Sequence, residues 1–236
     1  MASRTDRGVS ARANAFVLSS PLSGRAVLGA LNGITPEIFF TAATEVEPSF
    51  RPRAARSRTY HYLESEPVGT VSAYRRAASL VVGDIDVRSF GRGLPADRPI
   101  PRTVHRFDVV PTESGVRLEL EAPSFVWGMV RKLVAATRDV VRGDLPVDAF
   151  RAALAGERRL TVPLAEPAPL LLWEVDYGRP WTVVVDPFRV RKRSYFVGER
   201  RSARERAALL DRLLEPTVLE GEASKPRATP SRAGPG

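Results

Sequence analysis

The 236-residue sequence contains no cysteine and only two histidines. The first absence excludes disulfides, thiolate metal sites and cysteine nucleophiles, and two histidines are too few for a multi-histidine metal site. No apolar run approaches the roughly 18 residues that cross a bilayer, and the first residues lack the apolar segment of a signal peptide. The composition therefore predicts a cytoplasmic protein with no membrane span and no thiolate or multi-histidine metal site.

Acidic residues are too few to balance the basic ones. The chain has 27 Asp and Glu against 36 Lys and Arg, a net charge of +9, and only three of the basic residues are lysines. Arginine offers a planar fork for phosphates and a face for stacking on bases, so this balance indicates an anionic partner, with nucleic acid the first candidate. GC-rich codon usage and solvated basic surfaces explain the same bias, and composition alone leaves both explanations open.

Strand and helix patterns alternate along the chain and predict an α+β fold with a mainly antiparallel sheet flanked by helices. Short strands are predicted at 13–19 and 59–63, and a hairpin joins 106–110 to 116–120. The strongest helix pattern runs from Ser124, a candidate cap, to Arg142 before Gly143. A Gly/Pro-rich loop at 91–103 divides the chain into predicted domains 1–95 and 104–215. The segment 216–236 is predicted to be a disordered tail.

Asp6 stands between Arg4 and Arg7, two residues before Gly8. Thr-Asp-x-Gly is good turn chemistry in its own right, and a purely structural turn is one interpretation. A carboxylate beside two guanidinium groups is, however, expected to stay ionised, as a nucleophile must be. In an extended segment Arg4 and Asp6 would share a face. Holding a phosphate is a competing function for Arg4.

The segment Arg4-Thr5-Asp6-Arg7-Gly8-Val9-Ser10-Ala11 resembles the signature of the TruA family of tRNA pseudouridine synthases, R-T-D-x-G-V-x-A. At the position of Ser10 bacterial members commonly have histidine, and in this respect the chain resembles the archaeal and eukaryotic branch of the family. Further family motifs follow in order: Asn32 to Ile38, Phe50 with Arg51-Pro52-Arg53, Arg58-Thr59-Tyr60-His61-Tyr62, Phe125-Val126-Trp127-Gly128-Met129-Val130-Arg131, and Leu170 to Tyr177.

The resemblance implies a role for each motif residue. Asp6 would be the catalytic nucleophile, and Arg4 would hold the flipped nucleotide and pair with Asp6. Tyr60 would lie against the uracil and take part in its final deprotonation. Arg131 would support the carboxylate, and Leu170 would wall the pocket. The implied fold is a pseudouridine synthase fold of two ferredoxin-like, RRM-like halves with the catalytic cleft between them.

The resemblance also implies the partners. The substrate would be a uridine in the tRNA anticodon stem-loop, at the positions conventionally numbered 38 to 40, and the enzyme would be a homodimer that uses no metal or organic cofactor. Arg51, Arg53 and Arg58 are the residues expected to follow the RNA backbone. A non-catalytic RNA-binding module and a generic basic DNA-binding protein are the alternatives.

One departure from the family pattern concerns the start of the chain. Family members place a strand and a helix before the R-T-D loop, whereas here five residues precede Asp6. The expectation is an N-terminally truncated synthase, with the upstream reading frame as the deciding observation.

Overall fold

The strand and helix patterns of the sequence produce nine strands and five helices in the part of the chain that the structure describes. The structure is a computed structural model and describes residues 1–35, 38–185 and 193–214. Its strands are β1 (Ser10–Ala11), β2 (Ala42–Ala43), β3 (Ser57–Glu64), β4 (Gly83–Asp86), β5 (Pro101–Val104), β6 (Arg106–Thr112), β7 (Gly115–Ala122), β8 (Leu170–Asp176) and β9 (Val183–Val184). Its helices are α1 (Gly24–Ile34), α2 (Val71–Ser79), α3 (Met129–Arg142), α4 (Val147–Leu154) and α5 (Arg193–Leu214).

The first of two units comprises Met1–Gly24 and Thr44–Thr182. It contains a five-stranded sheet in the order β1-β8-β3-β7-β6, in which β1 runs parallel to β8 and the other three neighbouring pairs are antiparallel. Strands β4 and β5 form a separate antiparallel pair. The predicted α+β class with a mainly antiparallel sheet is therefore confirmed, as is the β6–β7 hairpin.

One face of this sheet carries the core. Along β7, buried and partly exposed residues alternate, so that Leu118 and Leu120 enter the same buried cluster as Leu133 of α3. All three side chains are fully buried, and each contributes roughly 1.5–3 kcal/mol through removal of apolar surface from water. Since α3 begins beside Asp6, this packing sets the position of the site.

The second unit comprises Arg25–Ala43 and the described residues from Val183 onward. In it β2 and β9 pair antiparallel, and the Asn32 side chain exchanges hydrogen bonds with the backbone of Phe40. The α5 side chains that are described are exposed. The predicted tail 216–236 lies outside the described residues.

Two sequence predictions of local structure are wrong. The predicted strand at 13–19 is not formed: the strand is β1, earlier in the chain, and Phe16, Val17 and Leu18 are 44%, 48% and 43% exposed. Ser124 does not cap α3, because the chain first turns at Gly128, which has a left-handed φ of 78°. The four residues 124–127 thus form a loop, and Trp127 stands just before the helix.

The division of the chain at 91–103 stays a prediction. In the structure, strand β3 precedes this loop in the chain and pairs with β7 and β8, which both follow the loop.

Among the described residues, no helix has the length and apolar character needed to span a membrane.

Candidate active site

Asp6 lies in a tight turn that is held in place from both ends. The Val9 amide donates to the Asp6 carbonyl at 3.0 Å, and Gly8 has a left-handed φ of 88°, which glycine adopts without strain. After the turn, β1 pairs with β8, with Ser10 opposite Leu171. Before it, the Ala2 amide donates to the carbonyl of Ala15 at 2.7 Å. The turn is therefore fixed relative to the sheet.

Two donors hold the two oxygens of the Asp6 carboxylate. Arg131 Nη1 donates to Oδ2 at 2.6 Å, and the indole Nε1 of Trp127 donates to Oδ1 at 2.8 Å. Arg131 is itself held, since its Nε donates to the carbonyl of Ala165 at 2.6 Å. Charge-assisted hydrogen bonds of this kind are short and strong, and together they orient the carboxylate.

Arg4 lines the cavity but does not pair with Asp6 as predicted, and its function in holding the nucleotide stays a prediction. Among the described residues, the cation paired with Asp6 is Arg131, and the Arg4 side chain is exposed at the edge of the cavity. The prediction assumed an extended segment, in which alternate residues share a face. The Asp6 carboxylate instead meets Arg131 of α3 at 2.6 Å.

The Asp6 carboxylate borders a cavity of about 670 Å³. Tyr60 of β3 and Leu170 of β8 line it, and both are buried, with 6% and 5% of their surface exposed. A register shift in the β3–β8 pairing falls between Thr59 and Tyr60. Such irregularities locally re-aim a side chain, here the one that meets the cavity.

The Tyr60 hydroxyl shares a hydrogen bond of 2.8 Å with Ser3 Oγ, and its ring meets Phe125 edge-on with centroids 5.2 Å apart. Burial raises the pKa of Tyr60 above its ordinary value, and this effect outweighs the hydrogen bond from Ser3 and the charge of Arg58, which lower it. Tyr60 is therefore a neutral phenol near pH 7, and its part in the final deprotonation stays a prediction.

Of the three arginines predicted to follow RNA backbone, Arg51 and Arg53 are exposed. For Arg58 the prediction is wrong. Its side chain is buried, and its guanidinium donates to the carbonyls of Arg53 at 2.6 Å and Ala2 at 3.1 Å, and also to that of Pro123. The guanidinium N–H groups of Arg58 that would donate to a phosphate are therefore already bound to backbone carbonyls.

Trp127 was missed by the sequence reasoning. Trp127 lies within the motif from Phe125 to Arg131, but an aromatic residue next to a helix pattern is usually a core residue. Its hydrogen bond to Asp6 depends on the loop before α3, which the sequence pattern does not show. Within residues 1–35, 38–185 and 193–214, no three His, Asp or Glu side chains gather as metal ligands would.

Comparison with known proteins agrees with these motifs. A sequence model of the family described as tRNA pseudouridine synthase matches residues 77–178. A protein of Thermococcus kodakarensis named tRNA pseudouridine synthase A is 37% identical over 180 residues, which cover 75% of this chain and 66% of that protein. Proteins of the same name from Methanosphaerula palustris and Pyrobaculum arsenaticum are 36% and 32% identical, over 90% and 88% of this chain and 76% and 80% of their own lengths.

This chain thus spans about two thirds of the Thermococcus kodakarensis protein and more of the other two. All three organisms are archaea, in agreement with the branch that Ser10 indicated. The family pattern covers the chain from the end of α2 through β8, and Trp127 and Arg131 lie within that range. On this evidence the chain belongs to the family of tRNA pseudouridine synthases.

Proposed function

We propose that this chain converts uridine to pseudouridine in tRNA, with Asp6 as the nucleophile and the anticodon stem-loop positions 38 to 40 as its targets. The observation that carries the proposal is the Asp6 carboxylate, held on both oxygens and facing a cavity lined by Tyr60 and Leu170. Cavities of this size accept small ligands. A base in a stem-loop must leave its stack to enter one, and an apolar and aromatic wall then receives it.

The side chains at this site can supply what the isomerisation of uridine to pseudouridine needs. The bond between ribose C1′ and uracil N1 breaks, a bond between C1′ and C5 forms, and the proton on C5 is exchanged for one on N1, so no electrons are gained or lost. Asp6 adds to the target nucleotide, at the ribose or at the base, and the uracil detaches at N1, turns and rejoins through C5. The bond to Asp6 breaks again before the product leaves, which restores the free carboxylate. Arg131 and Trp127 keep the carboxylate oriented during these steps, and Leu170 closes the pocket wall.

The remaining parts of the proposal concern tRNA and the assembly. The net charge of +9 and the exposed side chains of Arg51 and Arg53 favour attraction of the phosphate backbone. Following the family resemblance, we also propose a homodimer, which light scattering of the purified protein would test. A tRNA substrate fits the predicted cytoplasmic location.

The test compares the wild type with Asp6→Ala and, as a matched control, Asp144→Ala, whose exposed carboxylate pairs with Arg142 at 3.1 Å. Each protein is incubated with tRNA, and pseudouridine is mapped at single-nucleotide resolution. We expect modification by the wild type and the control, and none by Asp6→Ala, which still binds tRNA. Binding without modification by the wild type would instead support a non-catalytic RNA-binding module. Pseudouridine outside the anticodon stem-loop would refute the proposed target alone.

A further inference from the structure

Trp127 combines high exposure with a specific polar contact. The side chain precedes α3, and 56% of its surface is exposed. Its indole N–H nevertheless donates to Asp6 Oδ1 at 2.8 Å. An aromatic residue that remains more than half exposed gains little from burial, so packing into the core does not explain its position.

Arg92 holds Trp127 from behind. Its guanidinium lies 4.1 Å from the centroid of the indole ring, and its backbone N–H donates to the carbonyl of Trp127 at 2.8 Å. A cation over an indole face is attracted by the ring and draws electron density from it, which makes the indole N–H a better donor. The contact also limits rotation of the ring.

Gly128 makes this arrangement possible. Its left-handed φ of 78° turns the chain between Trp127 and α3. A Cβ at this position would lie 3.2 Å from Cγ of Arg92 and 3.0 Å from a methyl carbon of Leu164. Glycine therefore permits both the turn and the close approach of Arg92 to the ring.

The two donors on Asp6 have different functions. Arg131 contacts one oxygen through a single nitrogen, which places a positive charge and holds Oδ2 alone. The torsion about the last bond of aspartate is broad. A second donor on the other oxygen narrows it further, and Trp127 is that donor.

We propose that Trp127 is a positioning residue for the nucleophile: its N–H fixes the rotation of the Asp6 carboxylate, and Arg92 holds the indole in place. This inference rests on the proposed function of Asp6. It predicts that Trp127 affects the rate of the chemical step and has little effect on tRNA binding.

Kinetics of Trp127→Phe test the proposal, because phenylalanine keeps an aromatic ring against Arg92 and lacks the N–H. Trp181→Phe is the matched control, since Trp181 is 43% exposed and packs against Tyr177. We expect kcat of Trp127→Phe to fall roughly 10- to 100-fold with KM unchanged, the loss expected for one hydrogen bond to a charged group. An unchanged kcat, or a loss confined to KM, would overturn the proposal.

A second measurement does not depend on activity. The chain has three tryptophans, so its ¹H–¹⁵N spectrum contains three indole N–H resonances, and Trp127→Phe identifies one by its loss. We expect Asp6→Ala and Arg92→Met each to shift that resonance and to leave the other two in place. A resonance that Asp6→Ala does not move would overturn the proposal. A wild type without pseudouridine formation but with the expected shift would refute the proposed function and leave the contact established.

Discussion

Arg58 provides the sharpest test of the structure, because sequence and structure give it opposite functions. Within the motif it is one of several basic residues expected to face RNA. In the structure its guanidinium joins three chain segments through the carbonyls of Ala2, Arg53 and Pro123. Arg58→Met retains most of the side-chain stem and removes every one of these hydrogen bonds. The variant therefore separates stability from RNA binding.

The expected magnitude follows from the number of carbonyls left without a donor. A hydrogen bond from a charged group contributes about 1.5–3 kcal/mol, and these values do not add fully. Water can enter from the adjoining cavity and satisfy part of the three acceptors. We therefore expect Arg58→Met to lower the free energy of unfolding by about 3–5 kcal/mol, a large share of the roughly 5–15 kcal/mol typical of a domain.

The assay is urea unfolding followed by tryptophan fluorescence, paired with tRNA binding at several salt concentrations. Arg51→Met and Arg53→Met are the matched controls, since both side chains are exposed. We expect the controls to unfold within about 0.5 kcal/mol of the wild type and to bind tRNA more weakly, with a shallower salt dependence. If Arg58→Met behaved as the controls do, the structural function assigned to Arg58 would be refuted.

The remaining predictions concern the site and the backbone around it. Arg131→Met should lower kcat for pseudouridine formation roughly 10- to 100-fold, because Asp6 loses a charged donor 2.6 Å away; an unchanged kcat would contradict this. Gly115→Ala should destabilise the fold much more than Gly143→Ala: both have positive φ, but a Cβ at Gly115 would clash with the backbone oxygen of Glu64 on the neighbouring strand, whereas a Cβ at Gly143 would project into open space. Equal urea midpoints would contradict it. The pKa of Tyr60 is raised above 10.0 by burial, so above pH 10 the unfolded state loses its proton first and stability falls as the pH rises. Above pH 10, the free energy of unfolding of Tyr60→Phe should fall less steeply with pH than that of the wild type. An identical slope for the two proteins would count against a raised pKa of Tyr60.

The residues that sequence motifs brought together do meet in the structure. Asp6, Tyr60, Arg131 and Leu170 come from a turn, two strands and a helix, and all four line one cavity. They could be predicted because each stood in a motif whose order along the chain was specific. The helix pattern ending at Gly143 and the hairpin turn were equally predictable, since local chemistry determines both.

The environment of each arginine could not be predicted in the same way. In the sequence, Arg51, Arg53 and Arg58 differ only in position, yet one is buried and two are exposed. Their burial depends on where backbone carbonyls from distant segments point, which no local pattern records. The same holds for the cation beside Asp6: Arg4 is nearer in sequence, whereas Arg131, 125 residues away along the chain, donates to the carboxylate at 2.6 Å.

The Asp6 turn owes its order to contacts with the rest of the unit. Its strand, β1, has only two residues, too few to hold a loop alone. Further hydrogen bonds hold the turn. Arg58 donates to the carbonyl of Ala2, Asn14 and Ser3 exchange two hydrogen bonds, and Trp127 and Arg131 donate to the Asp6 carboxylate. Every one of these partners belongs to another segment or lies beyond the turn. The position of the nucleophile and the stability of the surrounding sheet are therefore coupled, and a substitution of Arg58, which lines the same cavity, disturbs the site without removing a hydrogen bond to Asp6.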